Sequence, residues 1–97
     1  MKKEFRIEIE ERAKIEISEA FEWYENQQVG LGVTFIEALQ NAFKTIQKSP
    51  NGYTKYRYHR QFPLSVFPYV VLYEIVKETM YVDAVFHTRR NPMDKIR

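Results

Sequence analysis

A chain of 97 residues, 44% apolar and 29% charged, holds enough material for one modest core and lacks the composition of a disordered segment. It contains no cysteine, which excludes disulfides and thiolate metal sites and fits a reducing cytoplasm, and no apolar run nears the ~20 residues that cross a bilayer. The net charge of +2 hides an asymmetry: residues 1–48 carry seven Lys/Arg against nine Asp/Glu, residues 49–97 eight against four. The basic half offers its charge either to solvent or to an anionic partner such as nucleic acid or an acidic protein segment.

The N-terminal MKKEFRIEIE has two lysines with no apolar region behind them, so it does not read as a secretory signal. Within it, Phe5 to Ile9 alternate apolar and charged residues, the pattern of a half-buried strand. From Ala13 the period lengthens. Ala13, Ile17, Ala20, Phe21 and Tyr24 form one stripe of an amphipathic helix, with Ile15 and Trp23 at its margin as packing or as a contact surface. Gly30 suits a helix C-cap, and Phe35, Leu39, Ala42, Phe43 and Ile46 mark a second helix, with Thr34 and Glu37 at capping-box spacing. Pro50 stops that helix at Ser49, and the short connection predicts an antiparallel helical hairpin.

Beyond Pro50 the chain is β-rich. Residues 54–62 read as one strand, and residues 66–76 and 80–87 as a hairpin turning at Lys77, Glu78 and Thr79. In the last strand, alternation puts Met80, Val82, Ala84 and Phe86 on a face toward the helices, with Tyr81, Asp83, Val85 and His87 opposite. The expected architecture is α+β, in the order β-α-α-β-β-β. It is a single domain spanning residues 1–97: a small, mostly antiparallel sheet with a helical hairpin on one face.

The other face and its loops then gather Lys55, Arg57, His59, Arg60, His87, Arg89 and Arg90 among several tyrosines. Cations beside aromatic rings suit single-stranded RNA, which presents phosphates and stackable bases. RNA carries its own 2′-hydroxyl nucleophile, so a protein can cleave it without metal by moving protons and stabilising phosphorane charge. His87 is the candidate for proton transfer, with Arg60 and Arg89 as phosphate clamps and Lys55, Arg57 and Arg90 holding the RNA backbone. The competing reading makes His87 a hydrogen-bonded strand end and the other cations solvated surface. Glu74 and Asp83 suit either a carboxylate base or pairing with nearby cations. Two histidines, His59 and His87, are few for a zinc cluster, so neither metal nor cofactor is expected.

Several stretches together give the chain a family likeness: AKIEISEAFEWYENQQVGLGVTF, IQKSPNGY, Arg60 followed by FPYVVLYEI, and VDAVFHTRRNP. In that order and spacing they resemble toxins of the RelE/ParE family, from bacterial type II toxin–antitoxin pairs. The resemblance implies a cognate antitoxin that wraps and neutralises the domain. It implies one of two targets: the ribosome with its messenger RNA, cut by RelE-like members, or DNA gyrase, bound by ParE-like members. Arg60, His87, Arg89 and Arg90 match positions near the ribonuclease site, so ribosome-dependent cleavage is the leading expectation, with gyrase binding or a toxin fold without toxicity as alternatives. The chain lacks the terminal tyrosine or tryptophan of several ribonuclease members.

Overall fold

Two helices and five strands follow one another in a computed structural model of the chain, which describes residues 5–89. Strand β1 (Arg6–Ile9) leads into α1 (Glu11–Gln27) and α2 (Leu31–Lys48). A 3-10 turn (Pro50–Gly52) precedes β2 (Lys55–Tyr56), β3 (His59–Pro63), β4 (Tyr69–Val76) and β5 (Thr79–His87). The sheet order is β1-β5-β4-β3-β2. Only β1 against β5 is parallel; the other pairings are antiparallel.

The helices form where the 3.6-residue period placed them. Ala13, Ala20 and Tyr24 of α1 and Phe35, Leu39, Ala42 and Ile46 of α2 are buried. They pack with Val71, Tyr73, Met80, Val82 and Val85 of the sheet as the main core. Around Tyr24 the core is aromatic, the ring stacking on Phe35 and meeting Phe67 and Tyr69 edge-on.

The turn between the helices differs from its expected form. Gly30 does adopt a left-handed backbone (φ 91°), but as the residue that opens α2 rather than one closing α1. Thr34 and Glu37 form no capping box; the Thr34 hydroxyl donates to the Gly30 carbonyl instead. The α2 N-terminus is satisfied from the preceding helix, where the Glu25 carboxylate accepts from the Gly30 and Gly32 amides, each at 2.9 Å. An anion at a helix N-terminus is favoured by both the free amides and the dipole.

Two features of the sheet redirect the basic half. The expected strand over residues 54–62 is a tight hairpin of β2 and β3, turned at Arg57, whose φ is 59°. A turn there reverses the chain and removes the uniform alternation along the segment. The second feature is a β-bulge. Leu72 pairs with Ala84 but Tyr73 pairs with Val82, leaving Asp83 as the extra residue. Such an insertion swaps the two faces beyond it. Met80 and Val82 do face the helices, but Ala84 and Phe86 join Val70 and Leu72 in a second buried cluster on the far side. Val85 and His87 correspondingly turn toward α1.

Candidate functional site

The cations of the basic half divide into two groups. Lys55 stands opposite Arg60 in the β2–β3 ladder, with Arg57 at the hairpin tip. Lys55 and Arg57 are exposed, and Arg60 is half-buried. Arg60 also pairs with Tyr73, so it lies on the helix-facing side. There its Nη1 donates to the Tyr53 carbonyl at 2.9 Å, a bond that ties the chain after the 3-10 turn to the sheet. The same neighbourhood is anchored by the Tyr73 hydroxyl, which donates to the Pro50 carbonyl at 2.7 Å. Burial pushes the Tyr73 phenol up to about 12, against a smaller opposing effect of the Arg60 charge.

His87 and Arg89 make up the second group, at the far end of β5. His87 pairs with Tyr69 and its ring meets that of Tyr69 edge-on, with centroids 5.2 Å apart. Its Nδ1 accepts the Arg89 amide at 3.1 Å, leaving Nε2 as the proton-bearing nitrogen of the neutral ring. Arg89 is exposed. Through the bulge, His87 lines a cleft of about 220 Å³ with Trp23, Tyr69, Glu16 and Glu19. Carboxylates in that lining make it a poor host for phosphate.

The register fixes the distance between the groups. Arg60 stands opposite Tyr73 and His87 opposite Tyr69, four residues along β4. That is about 13 Å along the strand and about 10 Å across it, because β3 and β5 flank β4. Arg60 is therefore not brought to His87 and Arg89 around one phosphate-sized hollow. Arg90 lies outside the described residues.

A third cluster occupies the sheet face away from the helices. His59 of β3, Glu74 of β4 and Asp83 of β5 meet there, with His59 Nε2 at 2.8 Å from Asp83 Oδ2 and 3.9 Å from Glu74 Oε2. The close approach is not an aligned hydrogen bond, and Asp83 Oδ2 is shut off from solvent with no hydrogen-bond partner among the described residues. Burial, followed by a hydrogen bond and charge repulsion from Glu74, raises the Asp83 pKa to about 7. Glu74 and Asp83 were visible in the sequence as possible partners of cations. His59 was not joined to them, because only the hairpin turn at Arg57 and the bulge at Asp83 make the three neighbours.

A groove of about 410 Å³ runs between α2 and the β3–β4 connection, lined in part by Ala38, Ala42, Phe62, Leu64, Val66 and Phe67. Val66 at its rim is 79% exposed, far more than a core valine.

Comparison with known proteins brings in two likenesses. The family described as the ParE toxin of the type II toxin–antitoxin system, parDE, matches residues 7–92. Among solved structures, a chain of the chromosomal ParDE TA system from P. aeruginosa superposes with a TM-score of 0.77 at 10% sequence identity. That match covers 86% of this chain and 95% of the other, and at such identity it speaks for the fold. No curated protein sequence matches the chain.

Proposed function

The chain belongs to the ParE toxin family of type II toxin–antitoxin systems, and we propose that it acts by binding and inhibiting DNA gyrase, not by cutting messenger RNA. The observation that carries this reading is the match to the ParE toxin family over residues 7–92, and the separation of Arg60 from His87 and Arg89 across β4 supports it. Cleavage through the 2′-hydroxyl needs a proton-transfer group and a charge-stabilising group on the same phosphate, within hydrogen-bond reach. Here Arg60 Nη1 donates to the Tyr53 carbonyl, and the histidine lines a cleft together with Glu16 and Glu19. Inhibition by binding asks for no such convergence. The exposed Lys55 and Arg57 and the 83%-exposed Tyr58 at the β2–β3 tip give a compact basic-aromatic patch for that role.

The partner we assign is a cognate antitoxin, whose apolar segment seats in the groove beside α2. Its rim exposes Val66, and the ordering of a disordered segment there is offset by burial of apolar surface.

A supercoiling assay with purified gyrase tests the target. Addition of the chain is expected to inhibit supercoiling of relaxed plasmid, and equimolar antitoxin to restore it. Undisturbed supercoiling at a large excess of the chain refutes gyrase as the target.

A further inference from the structure

We propose that His59, Glu74 and Asp83 form a binding site for a first-row divalent cation, best matched by zinc, on the sheet face away from the helices. Each of three adjacent strands contributes one ligand: His59 from β3, Glu74 from β4 and Asp83 from β5. Two local departures from regular sheet assemble the set. The left-handed turn at Arg57 brings His59 back beside β4, and the bulge inserts Asp83 on the same face.

One imidazole nitrogen and two carboxylate oxygens lie within 4.8 Å of one another. Donors at zinc bond lengths of about 2.0–2.2 Å in a tetrahedral shell stand about 3.4 Å apart. The distances from His59 Nε2, 2.8 Å to Asp83 and 3.9 Å to Glu74, fall on either side of that value. Three such donors and one water would fill a tetrahedral shell. Asp83 Oδ2 is covered by protein, and its contact with His59 Nε2, itself one of the three donors, does not have hydrogen-bond geometry. Such an atom is costly to bury unless something positive meets it.

The donor chemistry selects the class of ion. An imidazole with two carboxylates suits zinc and its first-row neighbours, whereas magnesium and calcium favour all-oxygen shells. His59 and Glu74 side chains remain 33% and 37% exposed, so the ion has a path from solvent and a remaining position open to water. Bound there, it ties the β2–β3 hairpin to β4 and β5 and stabilises the fold by mass action. The inference is independent of the toxin's target.

Isothermal titration of the full chain, stripped with EDTA, with zinc sulfate tests the site, alongside thermal unfolding. One equivalent of zinc is expected to bind and to raise the unfolding midpoint. Both effects are expected to vanish in H59A and to persist in H87A, which removes the only other histidine. Absence of binding to the parent chain, or binding that survives H59A, overturns the proposal. If circular dichroism finds H59A unfolded, cobalt(II) added to the parent chain decides. Visible bands of protein-bound cobalt that change in E74Q support the site, and a spectrum identical to cobalt in buffer overturns it.

Discussion

Asp83 sits part-buried with a raised pKa, and the sign of its effect on stability is fixed. Its pKa stands at about 7 in the fold against 3.8 ordinarily, so the folded state holds the proton more tightly than the unfolded one. Stability from this group is complete below about pH 4 and is lost as pH rises through about 7. Unfolding midpoints measured in EDTA are therefore expected to fall across that window relative to Asp83→Asn, and to run parallel above it. Identical profiles would remove the assignment. Gly32 offers a second test at this scale. A Cβ there would sit 2.8 Å from the Phe21 ring and 2.8 Å from its backbone carbonyl. Gly32→Ala is expected to destabilise by about 1–3 kcal/mol through overpacking, read by chemical denaturation. The small residue is required because the two helices touch at that point.

The elements explain what could be read ahead of the structure and what could not. The helix stripes were legible because burial repeats along the sequence, and Phe35, Leu39, Ala42 and Ile46 are all buried as their spacing implied. The β4–β5 hairpin was legible for the same reason. The break between β2 and β3 was not, because Arg57 and Tyr58 carry no glycine or asparagine signal for a turn with positive φ. The bulge at Asp83 was equally silent, yet this one residue reverses the faces of Ala84, Val85, Phe86 and His87. What holds it is a contact from α1: the Glu16 carboxylate accepts the Val85 amide at 2.8 Å. Its other oxygen meets Arg12 Nε at 3.3 Å. Glu16→Ala leaves that amide without its charged acceptor and is expected to cost about 1.5–3 kcal/mol, with Glu16→Gln recovering part of the loss. Denaturant midpoints check both substitutions. A neutral Glu16→Ala would mean that the bulge is held by β4 and β5 alone.

Across the whole molecule, the family was readable from the order of short segments, and the matched span of residues 7–92 agrees. The candidate site was readable only as a set of residue types. Composition supplied the arginines and the histidine, but their grouping depends on register and on a single inserted residue, neither of which charge patterning encodes. The fold places Lys55, Arg57 and Arg60 at one edge of the sheet and His87 and Arg89 at the far end of β5. That distribution is one ground for the proposed gripping surface. Ribosomes programmed with a defined message in the A site, incubated with the purified chain in single-turnover conditions, measure this most directly. The message is expected to stay intact. A cut that appears with the parent chain and disappears in both Arg60→Ala and His87→Ala would contradict it.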